Sequence, residues 1–320
     1  MAKFGGDTLE NLVILDFGSN SARLAINRIS AKGKFKEIKR IKETTRLAEG
    51  MGRENGGKKM LDPQAVERTL KAVKYFTKVY QNYPHSQVCA IATAAVREAE
   101  NSASFLQAVK QMTGADVQVL SGQDEAYYDY LGVTNSLPLN DCLIVDMGGG
   151  SCELILVKNK KAQHLTCIPY GAISLTERFG ADKVMTAQQL FKFQSFIQKK
   201  YQQLGWLEQA REVPIVLLGG CNRTIARVQK ERLHQKNLEQ IHGFKIPAQD
   251  FAAIYTALLG KNSQERKQVA GMEQNRADII LGGMTPVIML VQQMNSSHVI
   301  FSESGAREGF MHTFLKNRTN

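Results

Sequence analysis

Apolar residues recur along the chain with two spacings, which predict a mixture of strands and helices. Strand-like apolar runs lie at 87–92, 117–120, 143–145, 154–157 and 214–218. Apolar positions at helical spacing follow Asp62-Pro63, and further helices are predicted over 101–112, 187–204, 247–259 and 275–281. Gly114 is placed to end the second of these helices. The order of elements indicates an α/β fold.

One part of this pattern occurs twice, 130 residues apart. Residues 14–24 read ILDFGSNSARL, and residues 144–154 read IVDMGGGSCEL. In each copy an apolar run ends in Asp, passes through small residues and becomes apolar again, which predicts strand, tight turn and strand. For one copy, ordinary hairpin-turn chemistry would explain the pattern equally well. Two aligned copies instead predict two similar domains that face each other.

The residue types in both turns suit phosphate binding. Gly and Ser let consecutive backbone N–H groups approach an anion closely. A carboxylate at the end of the preceding strand can then hold Mg²⁺ directly or through water. Asp16 and Asp146 are therefore the first metal-ligand candidates. The segment 137–140, Leu-Pro-Leu-Asn, is the best linker candidate, so we predict domains at 1–134 and 135–320.

Composition favours an anionic partner in a reducing compartment. The chain has 320 residues and a formal net charge of +11. Basic residues concentrate within 32–42, either as a solvated hairpin or as a surface that contacts a polyanion. The five cysteines contain no CxxC pair, and no apolar run reaches 18 residues, so we expect a soluble, cytoplasmic protein without a membrane segment. The scattered histidines give a zinc site little support.

Residues 121–126, Ser-Gly-Gln-Asp-Glu-Ala, predict the start of another helix. Ser121 and Asp124 have the spacing of a capping box, which gives Asp124 a structural role. Glu125 is not needed for the cap, and its carboxylate could orient and deprotonate an attacking water. Alternatively, Glu125 only complements the helix dipole.

Five segments in order resemble one known family, the exopolyphosphatase and guanosine pentaphosphate phosphohydrolase (Ppx/GppA) family. They are residues 16–24, 121–126, 146–154, 277–283 and 305–309. The resemblance is essentially full length. It implies two ribonuclease-H-like domains of the actin, sugar-kinase and chaperone superfold, with the active site in the cleft between them, and a final helix that can pack back onto the first domain.

The resemblance also implies roles for individual residues. It assigns catalysis to Glu125 and Glu153, with Glu125 activating water. It assigns Mg²⁺, or Mn²⁺ as an alternative, to Asp16, Asp146 and Glu153. It assigns phosphate binding to Ser19, Asn20, Ser21, Arg23, Arg97, Gly148, Gly149, Gly150 and Ser151. For Arg97, a surface ion pair with Glu98 or Glu100 is an equal alternative.

Three features depart from the family pattern. Asp124 replaces the first of two glutamates common in relatives. Residues 218–224, Leu-Gly-Gly-Cys-Asn-Arg-Thr, differ from the usual small-residue segment, so nucleotide contacts there are in doubt, and Arg223 could bind phosphate or cap the next helix. The chain is too short for the additional helical module of longer relatives. Arg307 and Glu308 fall on a predicted terminal helix, with a structural role favoured.

The leading hypothesis is an exopolyphosphatase that releases terminal orthophosphate from inorganic polyphosphate with Mg²⁺. The alternatives are a guanosine pentaphosphate (pppGpp) 5′-phosphohydrolase, a non-catalytic polyphosphate- or nucleotide-binding regulator, and a kinase on the same superfold. No specific nucleic acid partner and no membrane partner is expected. The oligomeric state is open, with a homodimer as one option.

Overall fold

The computed structural model describes residues 10–30, 35–51 and 58–319, with side chains as far as residue 316. Lys32 and Lys34 of the predicted basic stretch lie outside the described residues. By their internal contacts the residues form two compact units, which divide between Ser121 and Gly122. The final residues, Met311–Asn320, group with the first unit. In the described part of the chain, no helix is long and apolar enough to cross a membrane.

The first unit is a five-stranded sheet with three helices. Its strands are β1 (Glu10–Phe17), β2 (Ser21–Ile29), β3 (Phe35–Thr44), β4 (Ser86–Ala92) and β5 (Val117–Val119). Its helices are α1 (Pro63–Tyr80), α2 (Ala94–Glu98) and α3 (Ser102–Thr113). The strand order is β3-β2-β1-β4-β5, with β1, β2 and β3 antiparallel and β4 and β5 parallel to β1.

Local sequence explains the ends of two of these helices. The Asp62 carboxylate accepts hydrogen bonds from the N–H groups of Gln64 and Ala65, so α1 begins where the sequence predicts. Gly114 has a φ of 72° and ends α3 in the left-handed conformation. In the core, Phe17 and Phe105 pack edge to face with ring centroids 5.6 Å apart.

The second unit contains a six-stranded sheet. Its strands are β6 (Cys142–Met147), β7 (Cys152–Lys158), β8 (Lys161–Ile168), β9 (Ile215–Leu218), β10 (Lys245–Pro247) and β11 (His298–Phe301). Its helices are α4 (Gly122–Thr134), α5 (Ala172–Phe179), α6 (Ala187–Gln202), α7 (Gly220–Arg232), α8 (Ala248–Leu259), α9 (Ser263–Lys267), α10 (Ile280–Gln293) and the start of α11 (Ala306–Thr319). The strand order is β8-β7-β6-β9-β11-β10.

The two sheets share one topology. In each, three consecutive antiparallel strands are followed by two strands parallel to the first, and the second sheet adds β10 at its edge. The duplicated sequence pattern therefore corresponds to the β1–β2 and β6–β7 hairpins. This confirms the predicted α/β fold class.

Two predicted boundaries differ from the structure. The helix predicted at 275–281 begins only at Ile280 and continues to Gln293, because residues 274–279 form successive turns. The boundary between the two compact units lies before α4, whereas the linker argument placed it near residue 135. The reason is packing: Ala126 and Val133 of α4 belong to the buried core formed by β6, β7 and β9. Glu125 therefore lies in the second unit.

Candidate functional site

The two hairpins differ at one cross-strand position. In the first unit Asp16 pairs across the ladder with Arg23, and an Arg23 nitrogen lies 3.2 Å from an Asp16 carboxylate oxygen. In the second unit Asp146 occupies the position of Asp16, and its cross-strand neighbour is Glu153. The same backbone thus presents an acid and a base in one hairpin and two acids in the other.

The turn of the first hairpin is held by its carbonyl groups. The Asn20 carbonyl accepts hydrogen bonds from the N–H groups of Thr45 and Arg46, and the Ser19 carbonyl accepts one from Ala48. Because peptide units are planar and trans, the N–H groups of Asn20 and Ser21 point away from the 45–48 segment. Ser19, Asn20 and Ser21 are buried. Two consecutive N–H groups on one side are the geometry of an anion-binding turn.

The turn of the second hairpin is held in the same way by α5. The N–H groups of Ala172 and Ile173 donate to the carbonyls of Gly148 and Gly149, each at 2.9 Å. The N–H groups of Gly149 and Gly150 therefore point away from α5. Gly171 permits this contact, because a Cβ there would lie 2.5 Å from the Gly149 carbonyl carbon. The predicted phosphate-binding residues of this turn thus have the backbone orientation that anion binding requires.

Helix α4 contributes two further acids to the second unit. Glu125 lies in its first turn and is 8% exposed, and Asp129 lies four residues later and is fully buried. Residues four apart share one face of a helix, so both carboxylates point the same way. Asp124, the predicted capping residue, is exposed and lies on another side of the helix.

Three carboxylates form a compact cluster in this unit. One oxygen each from Asp129, Asp146 and Glu153 lie within 4.8 Å of one another. Neither oxygen of Asp129 or Glu153 accepts a hydrogen bond of normal geometry from any described residue. Buried carboxylates without hydrogen bonds are costly, and a divalent cation is the group that would compensate them. The residues therefore fit a metal ion.

The electrostatics of the cluster point to the same conclusion. Burial raises the pKa of the Asp129 carboxyl well above its ordinary value, and the charges of Asp146, Glu153 and Glu125 raise it further. Burial also raises the pKa of Glu153, with Glu125 and Asp146 adding to the effect. The nearby Ser151 hydroxyl and Cys167 thiol lower the pKa of Glu153, but by less. Without a cation, the cluster is a site of strong mutual repulsion.

The predicted site residues fall into two groups. The second unit brings Glu125, Asp146 and Glu153 together beside the 148–151 turn. The first unit holds Asp16, Arg23 and the 19–21 turn, and the acidic cluster found among the described residues does not include Asp16. The roles of both groups in metal and phosphate binding stay predictions.

Arg97 also belongs to the first unit. Its guanidinium donates to the Leu120 carbonyl at 3.0 Å and lies 3.4 Å from Glu98, so the ion pair considered for it is present.

Arg223 lies in the first turn of α7. Arg307 and Glu308 lie in the first turn of α11, as predicted, and form an ion pair with each other.

Asp129 is the member of the acidic cluster that sequence reasoning missed. Its signal is the spacing of four residues from Glu125 within a predicted helix, which places both acids on one face. The contact between Gly171 and the second turn has no comparable signal, because it joins separate elements.

Two units of one topology, each with an acidic strand end followed by a small-residue turn, define a protein of the actin-like ATPase fold. The sequence profile of the Ppx/GppA phosphatase family matches residues 25–318. The chain belongs to the Ppx/GppA phosphatase family, and that membership supports phosphohydrolase activity.

Several solved structures are similar to this chain over nearly its whole length. A family member from Aquifex aeolicus is 27% identical, with a TM-score of 0.78, over 98% of this chain and 100% of that one. An exopolyphosphatase from Cytophaga hutchinsonii is 24% identical, with a TM-score of 0.85, over 96% and 98%. Nucleoside triphosphate hydrolases from Neospora caninum share only the fold, at 9% identity and a TM-score of 0.51 over 98% and 93%.

Proposed function

We propose that this protein is an exopolyphosphatase that hydrolyses the terminal phosphoanhydride bond of inorganic polyphosphate, with Mg²⁺ as its cation. The observation that carries the proposal is the Asp146–Glu153 cross-strand pair, with Glu125 beside it, next to the small-residue turn at 148–151. Family membership supports the reaction class. The net charge of +11 supports a polyanionic substrate.

Each residue of the second unit has a separate task in this proposal. The N–H groups of Gly149 and Gly150 bind oxygens of the terminal phosphate. Asp146 and Glu153 hold the divalent cation, which offsets negative charge on the phosphate when bound. Glu125 accepts a proton from the attacking water and orients it toward phosphorus. Phosphoryl transfer depends mainly on such positioning and electrostatic stabilisation.

The first unit would supply phosphate contacts through its own turn. We propose that Ser19, Asn20, Ser21 and Arg23 bind phosphate oxygens, since the turn presents its N–H groups in one direction and Arg23 adds a cation. Arg97 is proposed for the same role. Asp16 has Arg23 as an ion-pair partner, and its role as a metal ligand stays a prediction of the sequence.

The test is orthophosphate release from long-chain polyphosphate and, separately, from pppGpp. Glu125→Gln keeps the shape of the side chain but removes the base, so we expect release to fall by about 10²- to 10⁴-fold. Asp124→Asn is the matched control, because it removes the adjacent but exposed carboxylate of the same helix. It should leave the rate nearly unchanged.

The two substrates separate the possible outcomes. Release from polyphosphate alone supports the proposal, and release from pppGpp alone would replace it with the nucleotide phosphohydrolase. Binding of either substrate without any release would show a regulator. Equal rates for the unaltered protein and Glu125→Gln would remove Glu125 from the mechanism.

A further inference from the structure

Asp129 is a buried carboxyl group that the proposed reaction does not use. Its side chain is fully buried, and neither carboxylate oxygen accepts a hydrogen bond of normal geometry from a described residue. It nevertheless lies within 4.8 Å of the ligand oxygens of Asp146 and Glu153. A buried carboxylate is costly unless a cation or hydrogen-bond donors compensate its charge, so a compensating group is expected beside Asp129.

The packing of α4 against the start of α11 fixes the position of Asp129. A Cβ at Gly305 would lie 3.0 Å from an Asp129 carboxylate oxygen, and a Cβ at Gly132 would overlap the Gly305 backbone. A Cβ at Gly309 would overlap the Tyr128 carbonyl. The backbones of the two helices therefore touch on both sides of Asp129. This contact holds the carboxylate toward Asp146 and Glu153.

A purely structural role explains only part of this arrangement. The Ala306 N–H, at the start of α11, lowers the pKa of Asp129, as expected of a group near a helix N-terminus. A neutral Ser or Asn would serve as such a cap. It would do so without placing a third negative charge beside two buried carboxylates. The cluster therefore points to a cation that contacts all three acids.

We propose that Asp129 is a direct ligand of a resident divalent cation, held together with Asp146 and Glu153 before any substrate binds. The inference concerns the site of the proposed function and builds on it. Mg²⁺ in phosphate enzymes is usually held by one or two carboxylates plus substrate phosphates. A third carboxylate changes that balance, because the protein alone then provides three charged oxygens. Oxygens about 2.0–2.6 Å from one ion can lie within the observed 4.8 Å of one another.

The test measures binding of Mn²⁺ alone, with no phosphate present, by electron paramagnetic resonance of the free ion. Metal is first removed from the full-length protein with chelator. Asp129→Asn is nearly isosteric and lacks the charge, and we expect its Mn²⁺ affinity to fall by about tenfold or more. Glu212→Gln is the control and should bind Mn²⁺ normally. It removes an exposed carboxylate just before the start of β9, whereas Asp146 pairs with Leu218 at the end of that strand. Asp129→Asn binding Mn²⁺ as tightly as the unaltered protein would overturn the proposal.

A second variant separates ligation from helix capping. Asp129→Ser keeps a hydroxyl for the Ala306 N–H but supplies no anionic ligand. Weak Mn²⁺ binding in a folded Asp129→Ser protein supports ligation, whereas full Mn²⁺ affinity in this variant would show that Asp129 is only a cap.

The inference and the proposed function fail in different ways. Glu125→Gln should lose phosphate release but still bind Mn²⁺ in a way that depends on Asp129, because Glu125 is not assigned as a ligand of the cation. Absence of release from every substrate, with Mn²⁺ binding that depends on Asp129, would overturn the reaction and leave the metal site standing. Rapid phosphate release, with no Mn²⁺ binding in the absence of substrate, would support the reaction and overturn the metal site.

Discussion

A single cross-strand position gives the two hairpins different electrostatics. Arg23 neutralises Asp16 within the first unit, so that pair needs no added ion. Glu153 adds a second charge beside Asp146, and Asp129 adds a third. Burial and mutual repulsion then raise the pKa of both Asp129 and Glu153. The acids of the second hairpin therefore suit a bound cation, whereas the acid of the first hairpin is already paired with the Arg23 side chain.

The raised pKa of Asp129 predicts how the metal-free protein responds to pH. A carboxyl with a higher pKa in the folded state than in the unfolded state destabilises the fold once pH exceeds its unfolded value of about 4. The destabilisation grows until pH passes the raised, folded pKa. Lowering pH through this window should therefore raise the free energy of unfolding of the chelator-treated protein.

Asp129→Asn identifies the contribution of this group. Its chelator-treated form should be more stable than the unaltered protein at neutral pH, and its stability should rise less as pH falls. Thermal unfolding across the pH range measures both effects. A lower stability of Asp129→Asn at neutral pH would contradict the repulsion argument.

The Asp16–Arg23 pair provides a test in the first unit. Arg23→Gln leaves Asp16, which is 7% exposed, without its ion pair, and we expect a loss of about 1–3 kcal/mol in the free energy of unfolding. Arg40→Gln breaks the more exposed Arg40–Glu37 pair and should cost under about 1 kcal/mol. Urea denaturation compares them, and equal losses would show that burial of Asp16 has no effect.

At the scale of elements, each turn is oriented by a segment from elsewhere in its unit. The 45–48 segment fixes the first turn, and the start of α5 fixes the second, in both cases through the turn carbonyls. The side of the turn that presents N–H groups is thus decided by tertiary contacts. The small residues within the turn only permit this orientation.

The contact with α5 predicts the effect of Gly171→Ala. The added Cβ would overlap the 149–150 peptide, so α5 or the turn must shift, at a cost of about 1–3 kcal/mol. We expect weaker phosphate binding as well as a lower midpoint of urea unfolding. Gly205→Ala, where a Cβ meets open space, is the control. Unchanged substrate affinity in Gly171→Ala would show that the turn orientation does not depend on α5.

At the scale of the whole molecule, the charge excess predicts salt-sensitive substrate binding. The edge strand β3 is ordered and carries exposed Lys36, Lys39 and Lys42. A polyanion that contacts such residues releases counterions, so its affinity should fall steeply with salt. Replacing these three lysines with Gln should flatten the dependence, as measured by polyphosphate binding over a salt series.

The matched control replaces three exposed lysines of the second unit with Gln and removes the same total charge. These lysines are Lys160, Lys161 and Lys192. A slope that changes equally in both triple variants would show that only net charge matters, and a flat dependence in the unaltered protein would argue against a long polyanion.

Local signals in the sequence were enough to predict most of the elements and much of the candidate site. Periodicity, the cap at Asp62 and the left-handed Gly114 act within a few residues. The duplicated pattern likewise predicted both hairpins and placed Asp146 and Glu153 on adjacent strands. Where local signals were weak, as in residues 275–281, the helix was misplaced.

Which charged groups lie close together depends on tertiary packing. The sequence could not show that α4 packs on the second sheet, because that depends on the core around Ala126 and Val133. This packing joins Glu125 and Asp129 to Asp146 and Glu153. Burial, which depends on the whole fold, then raises the pKa of Asp129 and Glu153 and makes the cluster suited to a cation.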